Sequence, residues 1–397
     1  MPVLEPPQYL IRLRNHLRER ESGRWQWFAS DGFAAEQADA VRLSLLQSSY
    51  RMEPAAHPGL YAAAQRAQEA LGLNLPVTFY QAHEGVGMNA GLCFIPGEAH
   101  VVLSGPILST LTDLELTALV GHELAHAVLW RLDEGSLRVA SELIESIASH
   151  HGAEPSFVST AVRARRYTEI FADRGSLLAC GDPLAVVSCL VKVHTGLSEV
   201  DPAAYVRQAE ELFAKKSLSS QGTSHPETFV RARAISLWHA LGADAEPTIA
   251  KMVQGPTTFD ALDVLDQLAL TEQTRALIAR IVAPSWFRTE PVMAHARAFF
   301  PRLEPVEQAQ PAWPEGTADA SVGEYFAYVL LDFALVDEVL GDVALAHAWT
   351  TADALALTES FEKVARDELK LRKTAFEELR KGFPALLERA AQQGDTP

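Results

Sequence analysis

The stretch Leu119-Val120-Gly121-His122-Glu123-Leu124-Ala125-His126-Ala127-Val128 sets two histidines four residues apart inside an apolar run. On a helix, that spacing puts both imidazoles on one face, one turn apart. A single metal ion can then take two nitrogens from one rigid element. Glu123 lies about 100° further round the helix, where a carboxylate stands beside such an ion and can accept a proton from water. With 13 histidines in 397 residues, the pattern H-E-x-x-H arises by chance in roughly a few per cent of such chains. A helix carrying two partly buried histidines is the other reading. A third ligand from elsewhere in the chain decides between them.

Two later stretches offer what the chemistry lacks. In Arg166-Tyr167-Thr168-Glu169-Ile170-Phe171-Ala172-Asp173, the carboxylates Glu169 and Asp173 again share a helical face. Glu169 can be the third protein ligand that zinc takes while keeping one position open for water. Asp173 can accept the outward N–H of a ligating histidine and so fix its tautomer. A solvated acidic edge is the plainer reading of such a pair, but Phe171, Leu177 and Leu178 make these surroundings apolar. In Ser224-His225-Pro226-Glu227, proline suits the first turn of a helix and leaves His225 at its mouth, with Arg231 following. A histidine and an arginine there can face a developing oxyanion. By itself, His-Pro is more often just a loop.

H-E-x-x-H, then E-x-x-x-D, then H-P-x-x-x-x-R, in this order, resembles the M48 family of zinc metallopeptidases, the group of Ste24-, HtpX- and Oma1-type enzymes. The step Asn89-Ala90 followed by His100-Val101-Val102-Leu103-Ser104 is similar to that family's Asn-Ala step and edge strand. The resemblance covers about Leu60 to Leu241. It implies one Zn2+ per chain held by His122, His126 and Glu169, Glu123 as general base, and Asp173 behind the ligands. It also implies that His225, with Arg231, assists the transition state, and that a polypeptide substrate lies along Asn89, Ala90, Val101, Val102 and Leu103. Many relatives are embedded in membranes. Here no run of about 18 uncharged apolar residues occurs, so no transmembrane segment is expected.

The elements that must position these residues follow in chain order. Residues 1–59 form an N-terminal helical segment. Gln8 to Arg20 carries Leu10, Leu13 and Leu17 at helical spacing, and Trp25-Gln26-Trp27-Phe28 reads as a core anchor. No apolar stretch with a small-residue cleavage site follows Met1, so no secretory signal is expected. Residues 60–242 form the metallopeptidase-like domain. It opens with a helix from Leu60 to Leu71. Strands follow over 76–81, 86–95 and 99–104, the last two joined by the turn Pro96-Gly97. The strand over 99–104 is expected at the sheet edge nearest the metal helix, where strand addition can bind a peptide. Thr112-Asp113-Leu114-Glu115 is a capping box that starts the metal helix. Gly121 within that helix costs about 1 kcal/mol against alanine, which suggests another backbone close by. His150-His151 reads as a solvated helix end. Ser217 to Ser224 reads as a loop beside the site. Residues 243–397 form an all-helical domain, with subdomains 243–304 and 319–397 about a proline-rich linker at 305–314. Asp332, Asp337, Glu338 and Asp342 read as a solvated acidic face in preference to a second metal site.

Composition sets outer limits. A hydrophobic share of 48% is ample for a core. The net charge of −17 argues against nucleic acid and anionic membrane surfaces as partners. Cys93, Cys180 and Cys189 make no disulfide framework, which fits a reducing, cytoplasmic compartment. The expected fold is α+β: a mostly helical zincin-type domain with a small sheet, then an all-α C-terminal domain. The expected function is zinc-dependent endopeptidase. Two alternatives stay open. One is a zinc amide hydrolase acting on non-peptides. The other is a latent metal-binding module that recruits a protein partner, or a second copy, through the C-terminal helices.

Overall fold

The computed structural model describes residues 4–83, 87–215, 220, 225–255, 257–305 and 320–394. Its fold is α+β, mostly helical with one four-stranded sheet. The chain divides into two compact units, Met1–Gly255 and Pro256–Pro397. The proline-rich stretch 306–314 and most of the loop over 217–224 lie outside the described residues, as does the start of the strand expected from Val86.

The first unit opens with three helices, α1 (Gln8–Arg20), α2 (Ser22–Phe28) and α3 (Asp31–Ser48). Leu10, Leu13 and Leu17 are all buried, as their spacing requires. Trp25 and Phe28 are buried too, whereas Trp27 is exposed. Strand β1 (Ser49–Met52) and helix α4 (Pro58–Leu71) follow. Pro58 sits in the first turn of α4, and Gly72 closes the helix in the left-handed region at φ 66°.

Next come β2 (Val77–Ala82), β3 (Asn89–Ile95) and β4 (Glu98–Ser104). The sheet order is β1-β2-β4-β3. β4 lies parallel to β2 and antiparallel to β3, with Leu92 opposite Val101. This overturns the expected edge. β4 is paired on both sides, and β3 is the edge. The reason is packing: Val101 and Leu103 are wholly buried, together with Phe79 of β2. They share a core with Ala63 and Ala67 of α4. A β-branched run on an inner strand of a covered sheet looks the same in sequence as one at an edge.

Among the described residues, eight α-helices complete this unit: α5 (Ile107–Thr110), α6 (Asp113–Arg131), α7 (Ser136–Ala148), α8 (Pro155–Cys180), α9 (Pro183–Thr195), α10 (Pro202–Lys215), α11 (Thr228–Leu241) and α12 (Glu246–Gln254). His150 and His151 are exposed just beyond α7. Pro226 lies just before α11, whose N-cap is Glu227, rather than in its first turn, and His225 lies in the approach to that helix.

The described elements of the second unit are all helical: α13 (Val264–Ile281), α14 (Glu290–Phe299), α15 (Ala320–Leu335), α16 (Asp342–Ala354), α17 (Thr358–Glu368), α18 (Lys373–Lys381) and α19 (Phe383–Gly394), with two short 3-10 turns among them. Phe326, Leu330 and Phe333 of α15 are fully buried and centre its core. Asp332 is exposed, and Asp337 accepts the Val339 N–H at 3.0 Å. No helix among the described residues is long and apolar enough to cross a membrane.

Candidate active site

The site is built where α6 and α8 cross. Gly121 and Gly175 face each other there. A Cβ on Gly121 would strike Ala179 Cβ, and one on Gly175 would strike Ala125 Cβ. Only hydrogen side chains let the two backbones approach this far. Across the crossing, Ser176 Oγ donates to Ala118 O at 2.7 Å. The closeness hinted at by Gly121 therefore has a counterpart on α8, and it carries Glu169 and Asp173 to the histidine face of α6.

The start of α6 is held as firmly. Thr112 Oγ1 accepts the Glu115 N–H at 3.3 Å, and Glu115 accepts the Thr112 N–H at 2.8 Å, a complete capping box. Glu115 is also bound by Lys192 Nζ of α9 at 2.9 Å and by Ser188 Oγ. Both members of this ion pair are buried. Breaking such a pair costs about 3–5 kcal/mol, so the pair fixes where α6 begins relative to α9.

His122, His126 and Glu169 form the cluster. One ligand atom from each lies within 4.8 Å of the others, a grouping able to hold a metal ion. His122 Nε2 is 3.4 Å from Glu169 Oε2, and His126 Nε2 is 3.7 Å from Glu169 Oε1. Glu169 Oε2 is buried and has no hydrogen-bond partner among the described residues. Its nearest other cationic groups, Arg231 Nη1 at 3.5 Å and His225 Nε2 at 3.6 Å, stand beyond good hydrogen-bond length. A buried carboxylate oxygen left so costs free energy. A cation between the three residues satisfies it. Two imidazole nitrogens and one carboxylate oxygen are a donor set that zinc accepts, so the residues fit the ion that the sequence suggests.

Behind the cluster, Asp173 is 1% exposed. Its Oδ1 is 3.1 Å from His122 Nδ1. It also accepts Arg231 Nε at 2.8 Å and Arg231 Nη2 at 2.6 Å. Asp173 thus fixes the Nδ1–H tautomer of His122, and Arg231 fixes Asp173. Two nitrogens of the Arg231 fork grip Asp173 as a buried bidentate pair, and the third, Nη1, stands 3.5 Å from Glu169 Oε2. His126 has no such carboxylate. Its Nδ1 is buried without a partner among the described residues, and its ring stacks on Trp130 at 5.6 Å and 29°.

Proton affinities follow from this packing. For His122, burial favours the neutral form, but the hydrogen bond to Asp173 and the neighbouring Glu169 carboxylate outweigh it and raise its pKa to about 10. Burial lowers His126 to about 4. Glu123 is pushed up to about 7, chiefly by burial, against the opposing charge of His122 and, to a smaller degree, the Leu92 backbone N–H. Glu169 is held well below the usual carboxylate range despite its burial, by the adjacent His122 and by the charge of Arg231. A carboxyl poised near neutrality beside a cation site is suited to taking and returning a proton.

A cavity of about 360 Å³ opens over these groups. Asn89 and Ala90 line it with Gly91 and Leu92, all from the β3 edge. Val101, Val102 and Leu103 do not reach it. His225 borders it and is half-exposed, with a side-chain exposure of 55%. Cys93 is not part of the cluster. Sequence reasoning missed Trp130 and the Leu92 amide. The first was within reach, since Trp130 follows His126 by one helical turn and shares its face. The second depends on tertiary placement of a strand and leaves no local signal.

A site of two histidines on α6 and a glutamate on α8, beside a strand edge, is the arrangement of a metal-dependent hydrolase. Known proteins agree at a distance. The chain is 25% identical over 236 residues to the protease HtpX homolog of Nostoc punctiforme, covering 51% of this chain and 81% of that protein. It is 26% identical over 199 residues to the plastoglobule-localized metallopeptidase 48, chloroplastic, of Arabidopsis thaliana. That match covers 45% of this chain and 56% of the relative, so the chain spans little more than half of the relative's length. No family model matches the chain, and no solved structure matches it.

Proposed function

We propose that this protein is a zinc-dependent endopeptidase of the M48 type. The observation that carries the reading is Glu123. A metal-holding scaffold needs His122, His126 and Glu169, but it has no use for the buried carboxyl of Glu123 that lines the cavity beside them.

When bound, zinc supplies a Lewis acid that polarises the scissile carbonyl and makes water more acidic. The chain's own residues do the rest. The β3 edge, from Asn89 to Leu92, takes the substrate backbone in an extended conformation. Leu92 N–H orients the Glu123 carboxylate. Glu123 accepts a proton from the attacking water and delivers it to the departing amine. His225 stands 3.6 Å from Glu169 on the open side of the cluster, where a ring N–H can meet the developing oxyanion. Asp173 and Arg231 keep the His122 ring oriented throughout.

Digestion of an unfolded protein by the full chain tests this. New peptide termini are expected when zinc is present, none after chelation, and recovery when zinc is restored. Hydrolysis confined to small non-peptide amides would turn the reading toward a different amide hydrolase.

A further inference from the structure

A second cavity, of about 550 Å³, lies apart from the metal cluster and shares no lining residue with the cavity over it. Its floor is the sheet face that carries Tyr80 and His100, each 6% exposed. The alternate residues Phe79 and Val101 turn to the opposite face and join the core with α4. Arg51 of β1 stands directly opposite Tyr80 of β2, so their side chains share the cavity face. Leu46 of α3, Met52 and Pro54 supply apolar wall.

The polar groups around this cavity are unequally engaged. Both Glu98 oxygens are taken, Oε1 by Arg42 Nη2 at 2.8 Å and Oε2 by His100 Nε2 at 3.1 Å. Arg42 Nη1 donates to Asp39 at 3.3 Å. Arg51 bonds Glu53 through Nε alone, at 3.0 Å, so both terminal nitrogens of its fork are left over among the described residues. The Tyr80 hydroxyl makes no hydrogen bond among the described residues. A phenol buried this deeply costs free energy when it has no partner. The groups left over are mainly donors, and the cavity lacks an acceptor to meet them.

We propose that this cavity binds a small organic carboxylate with an apolar body. The carboxylate takes the two terminal nitrogens of Arg51 as a fork and the Tyr80 hydroxyl as a third donor. The body lies against Met52, Pro54 and Leu46, covering a leucine that is otherwise 64% exposed. One free guanidinium matches one negative charge. A doubly charged phosphate would bring a second, unmatched charge close to Glu53. The site stands whether or not the chain is a peptidase.

Calorimetry on the zinc-free full chain tests this, with the metal removed so that it draws no carboxylate to itself. The probes are octanoate, octanamide (the body without the charge) and acetate (the charge without the body). Octanoate is expected to bind at least about 10-fold tighter than either. Tyr80→Phe and Arg51→Gln are each expected to weaken octanoate about 10-fold or more, with zinc uptake unchanged. Tyr80→Phe is expected not to lower the melting temperature, because the hydroxyl it removes has no partner in the fold. Octanoate binding that survives both substitutions would put the ligand elsewhere, the emptied metal cluster included, and overturn the proposal. So would octanoate that fails to bind or binds no better than octanamide. Octyl phosphate binding more tightly than octanoate would overturn the carboxylate head.

Discussion

At the residue scale, the site gathers buried carboxylates into a cluster able to hold a cation. Glu169 and Asp173 are both buried, and Arg231 answers the second more fully than the first. The high proton affinity of His122 expresses this: with its pKa raised to about 10, it keeps a proton at pH 8 when zinc is stripped away. Zinc needs that nitrogen deprotonated. The sign follows: zinc affinity rises with pH up to the region of that pKa, and each ion bound near pH 8 releases about one proton. Calorimetric titration in buffers of differing ionisation enthalpy measures the release, and zinc uptake without protons would contradict it. Asp173→Asn removes the carboxylate behind His122 while keeping its shape. Zinc affinity is expected to fall about 10- to 100-fold, read by competition with a chelator of known affinity.

At the element scale, the decisive feature is the approach of α6 to α8. Gly175→Ala forces a methyl against Ala125 Cβ, where backbone as well as side chain stands in the way. Such overpacking costs about 1–3 kcal/mol. Because the same crossing aligns Glu169 with His122 and His126, thermal melts should show lower stability together with weaker zinc binding. An unchanged zinc affinity in a destabilised Gly175→Ala variant would show that the crossing does not set the ligand geometry. The helices were legible in the chain because their signals are local. Thr112 and Glu115 mark a start, Gly181 ends α8 in the left-handed region at φ 71°, and Gly121 announces a neighbour. Strand order was not legible. Val101 and Leu103 look alike on an inner or an edge strand, and only the burial of both under α4 and α6 separates the two cases. The Arg231–Asp173 pair was not legible for a related reason: a position in sequence says that a guanidinium is near the site, not which carboxylate it grips. Lys192 was missed because a lysine on an apolar helix discloses nothing about a buried glutamate on another element.

At the scale of the whole molecule, the chain forms two compact units, and the metal-holding cluster belongs entirely to the first. Zinc bound by the folded state alone stabilises that unit by mass action, about 4 kcal/mol at a thousandfold excess over its dissociation constant. Scanning calorimetry is therefore expected to show one transition that moves up with added zinc and another, from the helical unit, that does not. A single transition moving as a whole would mean that the two units unfold together. The second unit's contribution to substrate choice or partner binding is open to the same kind of comparison, because its core is its own.

The most direct measurement is casein cleavage by the zinc-loaded protein beside Glu123→Gln, with zinc counted in both. The expected result is one zinc per chain in each. Cleavage is expected in the unaltered protein alone, with the variant's rate lower by about 10²- to 10⁴-fold. Zinc in both with equal cleavage would remove Glu123 from the chemistry, and the absence of zinc from both would contradict the central claim outright.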